Sequence, residues 1–214
     1  MGDYGEFIVG NDPRFDIGVI SDWVKPDDIV ESQRKWIKNL LSPIKGKCLG
    51  LLEGNHEDSI RLHFKGDVQQ HICDDLGVPN LGYSCFTDLV FRRGADEANT
   101  FTALGHFEHG SGNAVTKGWK LNLLHKSMLS FDGILHGRAH HHDIITDSLP
   151  YMTLDKTGRI KQKVKVGAIT GCWFRTYSQG IRASYGEKKG YPPTRIGCPV
   201  FTIRPFRGEI EVTD

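Results

Sequence analysis

The chain has 214 residues, 38% apolar and 25% charged, so it can bury a well-filled core and has the composition of an ordinary soluble globular protein. No run approaches the roughly 18 apolar residues of a membrane span, and the start Met1-Gly2-Asp3-Tyr4 lacks the features of a signal peptide. Five cysteines, never spaced as Cys-x-x-Cys, argue against a disulfide framework and favour a reducing, cytoplasmic location for one domain over residues 1–214.

The first third of the chain predicts helices around one short strand. Pro26 can open a helix, and apolar side chains recur at helical spacing as far as Leu41. The apolar run from Cys48 to Leu52 predicts a buried strand, and Gly66 separates two helices that follow it. The predicted bounds are helix 26–41, strand 48–52, helix 58–65 and helix 67–76.

The rest of the chain is richer in strands. Aromatic and β-branched residues predict strands on either side of a polar stretch at 94–97, and a helix and further strands follow. A pattern of helices and strands first and mainly strands later predicts two sheets packed face to face with helices outside. The predicted bounds are strands 83–93 and 100–107, helix 115–130, strands 132–136, 143–147, 160–169, 198–204 and 209–213, and a loop at 186–193.

The net charge of +1 hides an uneven distribution. Residues 1–31 hold eight acids against two bases, whereas residues 156–189 hold nine Lys or Arg against one acid. The second region would attract an anionic substrate or nucleic acid. An equally good interpretation is a strand with one solvated face, because Ile160, Val164 and Val166 alternate with lysines.

The sequence Gly54-Asn55-His56-Glu57 directly follows the predicted strand 48–52. It places an amide, an imidazole and a carboxylate in one tight loop, which can bind a metal and a phosphate together. Functional residues of open α/β proteins gather at the carboxyl ends of such strands. The position therefore supports the chemistry that the residue types suggest.

Seven of the ten histidines lie between residues 106 and 142, and six of these seven form two clusters beside glycine. The first is Gly105-His106-Phe107-Glu108-His109-Gly110-Ser111-Gly112, and the second is His136-Gly137-Arg138-Ala139-His140-His141-His142. Glycine lets the backbone bend and lets a substrate approach closely, so histidine beside it suits an active site.

These motifs follow the order found in the calcineurin-like metallophosphoesterases: Gly2-Asp3, then Gly54–Glu57, then His109-Gly110, then Gly137-x-x-His140. The chain most resembles the small phage and bacterial type, which shares residues 109–112, 120–122 and 190–193. The resemblance implies a four-layer α/β/β/α sandwich of two mixed sheets flanked by helices. It also implies metal-dependent hydrolysis of a phosphomonoester or phosphodiester, with nucleic acid and nucleotides among the candidate substrates.

The resemblance further implies two divalent metal ions held by four residues. These predicted ligands are Asp3, which would bridge the ions, Asn55, His109 and His140. Carboxylate, amide and imidazole ligands suit Mn, Fe or Zn, and Mn is favoured.

Three other residues receive roles beside the metal. The resemblance makes His56 the acid that assists the leaving group, with Glu57 orienting its imidazole. Ser111 offers a donor to phosphate, although the glycines around it serve equally well as a plain turn.

The sequence departs from the family in two places. It contains no Asp-x-His motif, so we expect either that this sequence starts too late or that the family's first strand is missing, in which case a partner or a second copy would cover the exposed sheet edges. Arg138 stands where the family has a metal-binding histidine; it can neutralise phosphate directly, and His136, His141 or His142 can replace the lost imidazole.

A second class of function stays open beside the enzyme. A catalytically reduced relative would use the same scaffold to bind a phosphorylated ligand or a protein partner. The remaining histidines and aromatic residues carry little weight: His106 is expected to be structural, and Trp23, Trp119 and Trp173 are expected to pack in a core in preference to stacking on a base.

Overall fold

The computed structural model describes residues 1–10, 12–94, 100–110, 116–139, 143–173, 175–180 and 182–214. It shows a mixed α/β protein with a five-stranded sheet and a two-stranded sheet. The chain divides into two compact units, Met1–Cys85 and Phe86–Asp214. Among the described residues, no helix has the length and apolar character needed to cross a membrane.

The first unit is mainly helical. Its helices are α1 (Ile29–Leu41), α2 (Asn55–Phe64) and α3 (Val68–Leu76), with short 3-10 turns at Ile17–Val19 and Ser42–Lys47. The buried side chains of these helices meet in one core, as the amphipathic pattern predicts. That core contains Phe7, Ile37, Leu51, Ile60, Val68, Ile72, Cys73 and Leu76.

The predicted strand 48–52 is wrong as a regular element. Only Leu51 forms a β-bridge, in parallel with Asn80. Its amide donates to the Pro79 carbonyl, and its own carbonyl accepts from Leu81. A regular strand is stabilised by a neighbour over its whole length, whereas among the described residues this segment pairs only at Leu51 and just beyond it, where the Glu53 amide donates to the Gly82 carbonyl.

The predicted loop at Gly54–Glu57 is also wrong, since Asn55 begins α2 and only Gly54 lies outside the helix. The reason is a set of distant capping groups, described below. The break at Gly66 and the end at Gly77 are confirmed; Gly77 adopts a φ of 67°, a left-handed conformation that favours glycine and ends α3.

The second unit holds the five-stranded sheet, β1 (Ser84–Arg92), β2 (Thr100–Glu108), β3 (Leu135–Arg138), β4 (Ile145–Leu154) and β5 (Ile160–Ile169), in the order β1-β2-β3-β5-β4. Strand β3 is parallel to both β2 and β5, whereas β4 is antiparallel to β5. The second sheet pairs β6 (Val200–Arg204) with β7 (Glu209–Thr213). The short helix α5 (Tyr185–Lys188) lies where the loop 186–193 was predicted to begin.

Helix α4 (Lys117–Ser130) connects β2 to β3 and packs against β3, β4 and β5. Leu124 and Met128 form a core with Ile145 and Ile169 on that side of the sheet. A separate core joins Ala103, Leu135 and Val166 to apolar side chains of β6 and β7. Within this unit, α4 therefore packs on one face of the five-stranded sheet and the second sheet packs on the other.

Most predicted strands of this unit are confirmed, and two coincide with β5 and β7. The strand predicted at 132–136 begins later, at Leu135. Gly133 explains the delay because its φ of 121° turns the chain just before the strand. A Cβ built on Gly133 would lie 3.0 Å from the Leu104 carbonyl oxygen, so the turn also brings two backbones together.

Candidate functional site

Asp3 supplies the cap of helix α2 from a distant part of the chain. Its Oδ1 accepts a hydrogen bond from the His56 amide at 2.9 Å, a role that the residue before a helix usually performs for itself. Gly54 occupies that preceding position and has no side chain to do so. Asp3 adopts a φ of 53°, which is uncommon for a non-glycine residue and most acceptable for Asp or Asn.

Glu57 fixes the same junction from the helix side. Its carboxylate accepts from the amides of Asp3 at 2.8 Å, Tyr4 at 2.7 Å and Gly54 at 3.0 Å. The side chain is only 1% exposed. Burial raises the pKa of Glu57, and the negative charge of Asp3 raises it further. Hydrogen bonds from backbone amides oppose this increase.

Gly54 leaves no space for a larger residue. A Cβ built there would lie 2.2 Å from both the amide nitrogen and Oδ1 of Asp3, and 2.7 Å from Oε2 of Glu57. Its φ of −107° is open to any residue, so the requirement for glycine comes from the close approach of Asp3. The motifs Gly2-Asp3 and Gly54–Glu57 are therefore in direct contact.

His56 is oriented differently from the expectation. Glu57 was expected to hold the imidazole, but its oxygens bind backbone amides, and the Nδ1–H of His56 donates to the Glu6 carbonyl at 2.7 Å. Nε2 of His56 then lies 4.0 Å from Oδ2 of Asp3. Asn55 is exposed as the first residue of α2. Asp3, Asn55 and His56 thus lie together at one helix end.

In the second unit, the predicted residues follow the carboxyl ends of parallel strands. Glu108 ends β2 and is followed by His109, while Arg138 ends β3 in register with Glu108. His109 is 3% exposed. Backbone bonds extend this edge, because Ala139 donates to the Glu108 carbonyl and Thr170 to the Arg138 carbonyl.

Arg138 is 7% exposed and forms an ion pair with Glu108. Its guanidinium also packs against Gly110, where a Cβ would lie 2.7 Å from Nε of Arg138. Gly110 has a φ of 80°, so both its conformation and its surroundings favour glycine. The charge of Arg138 is thereby already balanced inside the protein, and its binding of phosphate stays a prediction.

Two predicted residues, His140 and Ser111, lie outside the described residues, as do His141 and His142. Within the described part of the chain, no group of three or more His, Cys, Asp or Glu side chains is placed to hold a metal ion. The donor types of Asp3, Asn55 and His109 nevertheless fit a divalent transition metal. The cap geometry holds Asp3 firmly, which is what a ligand side chain requires.

His106 and His136 form a buried aromatic cluster. His106 stacks on Phe131 with ring centroids 4.0 Å apart, and its Nδ1 lies 3.2 Å from Oγ of Ser127. His136 is fully buried; its Nε2–H donates to the Gly133 carbonyl, and Nδ1 has no hydrogen-bond partner among the described residues. Both rings are held by these contacts, and a role of His136 as a substitute metal ligand stays a prediction.

Acidification from pH 7 to pH 4.5 is expected to destabilise the fold through His136. Burial lowers the pKa of His136 from 6.5 to about 4, so between these values the unfolded chain binds more protons than the folded protein. The free energy of unfolding therefore decreases as the pH decreases. The expected loss is about 2 kcal/mol. Urea unfolding at both pH values, compared with His136→Gln, measures it; an equally steep loss in the variant would contradict the assignment.

Lys120 was not predicted to be part of a site. It lies in the first turns of α4, is 2% exposed, and forms no hydrogen bond or ion pair with any residue that the structure describes. Burial lowers its pKa, and the nearby Asp143 and Cys172 act in the opposite direction. Helical spacing could not identify this residue, because a lysine on a helix is usually exposed.

The expectation that tryptophans pack in the core is wrong. Trp23 and Trp36 stack on each other with ring centroids 5.2 Å apart, yet they are 47% and 44% exposed. Trp119 and Trp173 are 61% and 76% exposed. Tryptophan is highly buried on average, so these side chains mark surfaces that merit explanation.

Comparisons with protein-family models, curated proteins and solved structures found no match for this chain.

Proposed function

We propose that the protein is a metal-dependent phosphoesterase built as the four-layer sandwich of the calcineurin-like metallophosphoesterases. The observation that carries the proposal is the contact between Gly2-Asp3 and Gly54–Glu57, two motifs about fifty residues apart whose residue types were assigned to one chemistry. Oδ1 of Asp3 accepts from the His56 amide, and Glu57 binds the Asp3 amide.

The chain's own residues have distinct roles in this proposal. The hydrogen bond from Nδ1–H to the Glu6 carbonyl fixes the ring of His56, so the imidazolium form carries its second proton on Nε2 and gives that proton to the leaving oxygen. Oδ2 of Asp3 lies 4.0 Å from Nε2 and places a negative charge beside this proton. Glu57 acts indirectly, because its carboxylate accepts a hydrogen bond from the backbone amide of Asp3.

Asp3, Asn55, His109 and His140 are the residues that would hold the metal, with Mn favoured and two ions expected. Bound there, the metal would activate a water molecule and neutralise charge on the phosphoryl oxygens. The substrate is a phosphomonoester or phosphodiester.

A second candidate is a catalytically reduced relative that binds a phosphorylated ligand or a protein. The ion pair between Arg138 and Glu108 favours it, because a buried guanidinium stands where the family has a metal-binding imidazole. This candidate predicts that ligand binding needs no metal and survives substitution of His56.

Hydrolysis of bis(p-nitrophenyl) phosphate and p-nitrophenyl phosphate, with and without Mn²⁺, tests the proposal. We expect Mn²⁺-dependent release of nitrophenolate, and a loss of about 10²–10⁴-fold in kcat for His56→Ala. His71→Ala is the matched control, since His71 is an exposed histidine on α3 of the same unit. No hydrolysis by the metal-loaded protein, or full activity of His56→Ala, would reject the enzyme.

A further inference from the structure

Two exposed tryptophans lie at the carboxyl edge of the parallel strands. Helix α4 crosses from β2 to the parallel strand β3, so its first turn, with Trp119, lies at the edge where β2 ends. Trp173 follows the end of β5, which is parallel to β3 and ends at the same edge. Their exposures of 61% and 76% leave large aromatic faces in solvent.

A buried cation lies beside them. Lys120 directly follows Trp119 and is 2% exposed, and the Asp143 carboxylate is near enough to act on it. Asp143 is already engaged, because its Oδ1 accepts from Nε of Arg195 and from the Ile144 amide, both at 2.9 Å. Among the described residues, no counter-charge is bonded to the ammonium of Lys120, so an anionic ligand can provide one.

The surface charge at this edge is positive next to each tryptophan. Lys117 and Arg175 are both exposed and lie two residues from Trp119 and Trp173, respectively. An aromatic face beside a cation is the combination that binds a base and its phosphate. It is a poor match for an apolar protein partner, whose core contacts are depleted in lysine.

We propose that Trp119, Lys120 and Trp173 form a binding rim for single-stranded nucleic acid, in which the two rings stack on bases and the ammonium of Lys120 binds a backbone phosphate. The proposal names the substrate class of the phosphoesterase and so rests on the proposed function. Stacking tolerates any base sequence, so the rim selects the single-stranded state and not a sequence.

Fluorescence anisotropy of a 5′-labelled oligothymidylate, in EDTA so that hydrolysis does not interfere, tests the rim. We expect the Kd to rise about 10-fold in Trp119→Ala and again in Trp173→Ala. Lys120→Met keeps the length of the side chain and is expected to reduce the slope of log Kd against log salt by about 0.7. Since the tryptophans are exposed, their variants stay informative if Lys120→Met fails to fold.

Leu129→Ala is the matched control, because Leu129 is 74% exposed near the other end of α4. Its Kd should stay within about twofold of the wild-type value. Unchanged binding in both tryptophan variants, or displacement of the oligonucleotide by thymidine monophosphate at equal concentration, would overturn the proposal. If the protein binds the oligonucleotide tightly but hydrolyses no phosphoester, the proposed phosphoesterase activity is rejected and the proposed binding of single-stranded nucleic acid is retained.

Discussion

Replacing Glu57 with alanine is expected to lower the free energy of unfolding by about 4 kcal/mol. The variant loses a carboxylate that accepts from the amides of Asp3, Tyr4 and Gly54. Each bond to a charged group contributes about 1.5–3 kcal/mol, and amides left unpaired in a buried place add the cost of their desolvation. The loss is partly limited because the N-terminal segment can move towards solvent.

Urea unfolding measures this loss, with Asp58→Ala as the control. Asp58 is the next residue of α2, but it forms a partly exposed ion pair with Arg61 and should cost less than about 1 kcal/mol. Glu57→Gln should fall between the two, since the amide keeps one acceptor and turns a donor towards backbone amides. If Glu57→Ala and Asp58→Ala were equally stable, the three hydrogen bonds to the Glu57 carboxylate would make no net contribution to the free energy of unfolding.

Replacing Gly54 with alanine is expected to cost about 3 kcal/mol, at the upper end of the range for overpacking. The added Cβ would lie 2.2 Å from the backbone nitrogen of Asp3, which can retreat only by breaking its bond to Glu57. We also expect the amide of His56 to exchange with solvent faster, because Oδ1 of Asp3 moves away with the segment. Under the proposed function, this variant loses activity without losing any predicted ligand.

Gly66→Ala is the matched control for this substitution. Gly66 lies between α2 and α3, has nothing within 4 Å of a built Cβ, and does not require a positive φ. Alanine there should be neutral or slightly stabilising, because it restricts the unfolded chain. If Gly54→Ala unfolds at the same urea concentration as Gly66→Ala, the close approach of Asp3 is not present in solution.

The sequence predicts the regular elements of the second unit well, because alternating and helical apolar patterns report burial directly. Strand β5 matches its predicted bounds and α4 matches closely. The predictions of secondary structure fail where the local sequence pattern alone does not determine the element. The run from Cys48 to Leu52 has the composition of a strand, but a strand also depends on pairing with another segment, and only Leu51 is paired.

The site shows the same limit. The sequence predicts that Asp3, Asn55, His56 and Glu57 belong to one site, and the structure places them at the same end of α2. It could not show that Glu57 binds backbone amides, since that depends on the path of the first four residues. Lys120 was missed, and the exposed Trp119 and Trp173 were assigned to a core. Solvent exposure on a helix or loop is decided by neighbours that are distant in the sequence.

The cap of α2 also affects how the first unit folds. Gly54 gives the helix no local start signal, and the groups that replace it lie up to 54 positions away along the chain. Closing so long a loop costs entropy before any bond is gained, so α2 is expected to gain its stable first turn late, together with the N-terminal segment. The residues proposed for catalysis are therefore expected to come together late in folding, after the helices of the first unit have begun to form.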